Sequence, residues 1–118
     1  MTKQFKHWFP VPREIFAMEL SPGEIALYSY LMFLEDRKTY TCYPSYQTIG
    51  KAIQMSKNTV AKYVKSLEDK ILIETERTRV YLKNGKVQNG NLKYKILPIQ
   101  TAYEQHIADK IANMPSKR

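Results

Sequence analysis

Apolar positions recur three to four residues apart over residues 21–36, where Ile25, Tyr28, Leu31, Met32 and the stem of Glu35 share a helical face that Leu27 and Leu34 widen. Ser21-Pro22-Gly23-Glu24 opens that stretch: the serine can cap, proline suits the first helical position, and the glutamate completes a capping box. A helix is expected from there to about Asp36. Ahead of it, Pro12 can start a short helix over residues 13–18. Residues 1–11 mix Phe5, Trp8 and Phe9 with Lys3, Lys6 and His7, which suits an arm packed on the domain. Residues 39–43 are β-prone and end at Pro44. Two amphipathic segments follow, separated by the turn Gln54-Met55-Ser56. The first is capped by Ser45, takes Ile49, Ala52 and Ile53 as core positions, and carries Gly50 where helices must approach closely. The second is capped by Ser56 and takes Val60, Tyr63 or Val64, and Leu67, with Ile71 continuing the stripe.

The remainder reads as a hairpin. Asn84-Gly85 is a strong two-residue turn signal. Centring on it pairs Ile73 with Ile96, Thr75 with Tyr94 and Arg77 with Leu92 on a mostly apolar face. The other face pairs Glu74 with Lys95 and Glu76 with Lys93, and opposite charges landing across from each other support this register. Asn89-Gly90-Asn91 is a second turn-like cluster that bulges the return strand or moves the tip. Pro98 stops the strand. Residues 101–113 look helical, with Tyr103, Ile107 and Ile111 on one face that packs on the domain or makes a homodimer. The order of helix, strand, helix, helix, strand, strand predicts an α+β winged helix-turn-helix: a three-helix core, a β-hairpin wing and an extra C-terminal helix. Residues 1–100 would form the domain with its N-terminal arm, and residues 101–118 a C-terminal helix and a tail ending Pro115-Ser116-Lys117-Arg118.

Charge sharpens this picture. The chain of 118 residues carries a net charge of +8, unevenly placed. Residues 1–40 hold five basic and five acidic side chains, whereas residues 41–100 hold eleven basic and four acidic. A basic surface confined to the helix pair and hairpin attracts a polyanion through steering and counterion release. With 43% hydrophobic residues the chain can bury a core, so disorder is not expected. Its single cysteine, Cys42, forms no internal disulfide, which fits a reducing compartment. The N-terminus lacks the apolar run of a signal peptide, and the longest apolar stretch, residues 25–34, is about half a membrane span. A cytoplasmic location without membrane contact is expected.

In a helix-turn-helix the second helix of the pair enters the major groove with its N-terminal residues on base edges. With Val60 and Val64 facing inward, Lys57, Asn58, Ala61, Lys62 and Lys65 face outward. Asn58 can pair with adenine, Thr59 can bond a phosphate or touch a thymine methyl, and Lys57 and Lys62 can donate to guanine or phosphate. Lys65 and Lys51 suit backbone contacts. Ser56 and the free amides behind it suit a phosphate, as does the equivalent cap Ser45. The wing adds Arg77, Arg79, Lys83 and Lys86 around its tip.

Residues 44–74 resemble bacterial winged helix-turn-helix proteins, with a GntR-like pattern carried by Pro44-Ser45, Ile49, Gly50, Ile53, Met55-Ser56, Thr59-Val60, Leu67 and Leu72-Ile73. The longer stretch from Ser21 through Val64, with a wing after it, is similar to the helix-turn-helix domains of plasmid, phage and conjugative-element proteins, including RepA-type replication initiators. The resemblance implies sequence-specific binding of double-stranded DNA, by a transcriptional regulator of a bacterial or mobile-element gene or, alternatively, by the origin-binding domain of an initiator. Two positions depart from the pattern: Gln54 and Ile71 stand where glycine is usual, so those turns are built differently or carry strain. No GntR-type effector domain follows.

Other classes fare worse. His7 and His106 are far apart, and no P-loop, His-x-His, HExxH or CxxC pattern is present, so neither an enzyme nor a cofactor or metal site is expected. A tyrosine nucleophile would need metal-binding histidines or an arginine-rich set that is not visible. RNA binding lacks an aromatic stacking motif. A winged helix turned to protein interaction would not need the local surplus of positive charge.

Overall fold

The computed structural model describes residues 7–114; Phe5, Lys3 and Lys6 of the expected arm and the tail from Pro115 lie outside the described residues. A 3-10 turn at Arg13–Phe16 leads into α1 (Pro22–Leu34). Strand β1 (Thr41–Cys42) precedes α2 (Tyr46–Ile53) and α3 (Lys57–Asp69). Then come β2 (Ile73–Glu76), β3 (Arg79–Tyr81), β4 (Val87–Asn89), β5 (Lys93–Ile96) and α4 (Ile99–Ala112). The three-helix core, wing and C-terminal helix expected from the sequence are all present.

Local chemistry sets the helix starts. Ser21 accepts the Glu24 amide and Glu24 reaches back to the Ser21 amide, a complete capping box with Pro22 in the first turn. Ser45 and Ser56 repeat one device: each accepts the amide three residues on, from Thr48 at 3.0 Å and from Thr59 at 3.2 Å. The helix ends are less ordinary. Gln54 sits at φ 58° and Ile71 at φ 62°, the left-handed region that glycine enters without steric cost. At Ile71 the amides of Ile71 and Leu72 return to the carbonyls of Glu68 and Leu67, the six-residue closure that normally ends in glycine. The chain therefore keeps the usual turn geometry without the usual residue. Gln54→Gly is expected to raise stability by about 1 kcal/mol, since Gln54 is exposed and loses no packing. Thermal denaturation should show a rise of several degrees; an unchanged midpoint would mean that the turn holds no strain.

The core joins all three helices to the sheet through Leu27, Tyr28, Leu31, Ile49, Val60, Val64, Leu67, Leu72, Ile73 and Tyr94. On α1 the fully buried positions are Leu27, Tyr28 and Leu31, whereas Ile25, Met32, Leu34 and Glu35 are half-buried. Ala52, expected in the core, is exposed, because α2 is short and buries only Ile49 and Gly50 fully. Of Tyr63 and Val64, Val64 takes the core position. Tyr63 lies at the α1–α3 crossing, where a Cβ on Gly23 would come within 2.4 Å of its ring. Gly50 does mark a close approach, though to the turn rather than to another helix: a Cβ there would lie 2.4 Å from the Met55 carbonyl oxygen.

Glu24 does more than cap. It is 4% exposed, takes a hydrogen bond from Ser66 Oγ at 2.5 Å, and is held by Lys70 Nζ at 2.7 and 2.9 Å. The start of α1 is thereby bolted to the last turn of α3. Burial by itself raises the carboxyl, but the hydrogen bonds from Lys70, Ser21 and Ser66 and the Lys70 charge outweigh it, so the pKa falls to about 2.

The sheet has the order β1-β5-β2, all antiparallel. Its register is the expected one: Ile73 faces Ile96, Glu74 faces Lys95, Thr75 faces Tyr94 and Glu76 faces Lys93. The next expected pair, Arg77 with Leu92, does not form. Arg77-Thr78 on one strand face Gly90-Asn91-Leu92 on the other, and the extra residue bulges the return strand. Pairing resumes one step shifted, with Arg79 against Asn89 and Tyr81 against Val87. The shift also changes the tip: Leu82 bonds Lys86, leaving a three-residue loop of Lys83, Asn84 and Gly85, with Gly85 at φ 83°, instead of a two-residue turn.

At the chain's ends the expectations hold in part. The short helix after Pro12 is present as a 3-10 helix, Arg13–Phe16, and gives way to a turn before Met18. On α4 Ala102 is buried and Tyr103 packs against the core, while Ile107 is 37% and Ile111 64% exposed, so only the start of the apolar face packs on this domain.

Candidate nucleic-acid interface

Helix α3 turns Val60, Val64 and Leu67 inward. That orientation leaves Lys57, Asn58, Lys62 and Lys65 exposed on the opposite side, with the small Ala61 among them and half-buried. The Lys62 ammonium stands 5.8 Å over the Tyr63 ring, which leans it along the helix surface. Thr59 is half-buried. The Ser56 hydroxyl accepts the Thr59 amide and donates to Thr59 Oγ1 at 2.9 Å. Its proton is thus committed locally, and the Thr59 hydroxyl carries the next proton outward. Ser45 and Thr48 repeat this arrangement. Lys51 is exposed in the last turn of α2.

The fold brings three sites from different elements to one place. Ser45 at the start of α2, Lys57 at the start of α3 and Arg77 at the base of the wing line a cleft of about 430 Å³. Two cationic side chains and no carboxylate line it, and the amino ends of two helices, whose dipoles favour negative charge, meet there. Arg79, Lys83 and Lys86 are exposed along the wing and at its tip, and do not line the cleft.

Three lining residues escaped sequence reasoning: Gln47, Asn89 and Asn91. Gln47 sits in the first turn of α2 and is exposed, a placement legible from the Ser45 cap. The asparagines read only as turn formers. Asn91 in fact ties the wing to the loop before α2, donating to the Tyr43 carbonyl at 3.1 Å, while its own carbonyl accepts from Thr78. The bulge is therefore braced, and Arg77 is held toward the helix pair.

No group of metal-ligating side chains gathers among the described residues, and no described helix is long and apolar enough to cross a membrane. Burial pushes the Cys42 thiol up to about 11, and it donates weakly to the Leu31 carbonyl, so it is not a nucleophile at neutral pH.

A family profile described as a helix-turn-helix domain matches residues 18–73. No curated protein matches the chain in sequence. Among solved structures, one similar chain is a possible transcriptional regulator from Methanosarcina mazei Go1, with a TM-score of 0.54 and 19% identity over 82% of this chain and 78% of that one. Another is a MarR family transcription regulator, with a TM-score of 0.50 and 17% identity over 85% of this chain and 58% of that one. At such identities the likeness speaks for fold, and it agrees with the helix pair and hairpin described above. This chain carries a winged helix-turn-helix domain.

Proposed function

We propose that this protein is a transcriptional regulator that binds double-stranded DNA sequence-specifically, with α3 in the major groove and the wing on the flanking backbone. The observation that carries the reading is the exposed basic and amide-bearing side of α3 beside a carboxylate-free cleft shared with the wing. In this arrangement Lys57, Asn58 and Lys62 read base edges around the small Ala61. Lys51, Thr59, Lys65 and Arg77 hold phosphates together with the free amides behind the Ser45 and Ser56 caps, with Gln47 added to the expected set. Arg79, Lys83 and Lys86 follow the backbone beyond the site. Of two solved structures of this fold, one is described as a possible transcriptional regulator and the other as a MarR family transcription regulator, which supports the same assignment. Selection of duplexes from a random pool by the purified protein tests it: a consensus spanning about one major-groove face should emerge, and a pool that stays random after repeated rounds would refute sequence-specific binding.

The partner we propose for α4 is a second copy of the chain, through Ile107 and Ile111, which continue the Tyr103 stripe at i, i+4 spacing and are left exposed. A symmetric pair would present two recognition helices to a palindromic site. Sedimentation should report a dimer at micromolar concentration and a monomer for Ile107→Asp; a monomeric parent chain would remove this assembly.

A further inference from the structure

The most exposed large apolar side chain among the described residues is Tyr81, at 77%. It stands on β3, out on the wing, and its partner across the ribbon is Val87, itself 49% exposed. Directly paired residues share one face of a sheet, so the Tyr81 ring and Val87 form a single apolar ridge. The β3–β4 ribbon is two-stranded and separate from the main sheet. Such a ribbon has little core of its own, and an uncovered apolar ridge on it marks a surface that a partner covers.

The surroundings of the ridge identify that partner by its charge. Arg79 and Asn89 pair one step nearer the domain, and alternate residues of a strand return to the same face. Asn89 also lines the basic cleft with Lys57 and Arg77. The ridge is thus the outward continuation of the cleft. From Arg77 to Lys95 the chain carries six basic residues and no carboxylate. A second wing would meet like charge there, whereas a polyanion is attracted. On the opposite face Val80 is used within the wing: it packs over Gly90, where a Cβ would come within 3.3 Å of Val80 Cγ2.

Reach agrees with charge. From Arg77 in the cleft to Tyr81 the strand advances about 13 Å, before the length of the ring itself. Along a duplex held by α3, the next minor groove lies about half a helical turn, about 17 Å, from the major-groove site. The base of the wing is fixed relative to the helix pair, because Thr78 donates to the Asn91 carbonyl and Asn91 donates to the Tyr43 carbonyl.

We propose that Tyr81, backed by Val87, wedges into the minor groove flanking the α3 site, partly unstacks one base step and bends the duplex toward the major groove. This rests on the DNA reading and adds a source of selectivity to it. Unstacking costs least at flexible pyrimidine–purine steps, so the ring favours TA or CA/TG there without a hydrogen bond to any base. Arg79, Lys83 and Lys86 supply charge along the backbone, and Tyr81 supplies the deformation.

The test uses a duplex selected by the protein, with a donor–acceptor dye pair at its ends and 2-aminopurine in place of each flanking adenine in turn. The parent chain should bring the ends closer and brighten 2-aminopurine at one flanking step. Tyr81→Ala and Tyr81→Thr should lose both signals and bind about fivefold or more weakly, whereas Tyr81→Phe should keep both. Threonine suits a strand, so the second variant keeps the test decisive if alanine loosens the ribbon. Neither variant removes a charge, so the salt dependence of binding should match the parent's. A parent that binds but leaves the duplex straight and unbrightened would overturn the wedge and leave the DNA reading standing. Ala and Thr variants that bend and bind as the parent does would have the same meaning. A parent that selects no duplex would remove the DNA reading, and the wedge with it.

Discussion

Glu24→Ala should lower the stability of the domain by about 3 kcal/mol, the largest loss expected from any single change at a capping position. An ordinary cap is worth about 1 kcal/mol. Here the same carboxylate satisfies the Ser21 amide, accepts from Ser66 and pairs with Lys70. Removing it leaves the Ser21 amide without its acceptor and the last turn of α3 without its anchor. Because Lys70 is 38% exposed, water recovers part of its loss, so the figure stays at the lower end for broken buried pairs. The pH dependence has a definite sign. The carboxyl sits near 2 in the folded chain against an ordinary 4.5, so its stabilisation is complete above about pH 4.5 and disappears as pH falls toward 2. Denaturant titrations at pH 7 and pH 3 should show Glu24→Gln narrowing the gap between the two. A gap of equal size in variant and parent would assign the acid sensitivity to other groups.

On the DNA face, Lys57→Ala is expected to weaken binding to the selected duplex by about 1–3 kcal/mol, roughly 5- to 150-fold, while changing random duplex far less. Lys57 stands at the amino end of α3 and lines the cleft with Arg77, so in the proposed complex it is placed to reach both a base edge and the backbone beside it. Arg79→Ala, out on the wing, should weaken selected and random duplex alike and reduce the salt dependence. Competition assays with the two duplexes separate these outcomes. Equal losses for both variants on both duplexes would place α3 outside the major groove.

The parts of this fold that could be read from the chain are those set by near neighbours or by pairing arithmetic. Ser21, Ser45 and Ser56 announce three helix starts, because a cap acts three residues away. Charge complementarity fixed the β2–β5 register down to the Glu76–Lys93 pair. Past that pair the strict arithmetic failed, since one added residue near Gly90 shifts every later partner; the turn-like cluster Asn89-Gly90-Asn91 did mark the return strand as the one to bulge, though not the size of the shift. The tie between Glu24 and Lys70 spans 46 positions and has no periodic signature. Likewise the outward stripe of α3 was legible from Val60 and Val64, but its convergence with Arg77 and Ser45 depends on how the wing folds back. Glu35 read as the tail of an amphipathic face, and only the assembled β5–α4 joint sets it in one concavity with Tyr28, Lys95 and Ile99.

The most direct test of DNA binding is the anisotropy of a labelled duplex, titrated with the protein at about 50 and about 200 mM salt. If four or more phosphates are neutralised by the basic residues of α3, the cleft and the wing, affinity should fall about a hundredfold between the two. Absence of binding at the lower salt, or binding indifferent to salt, would contradict a DNA-binding role for this face.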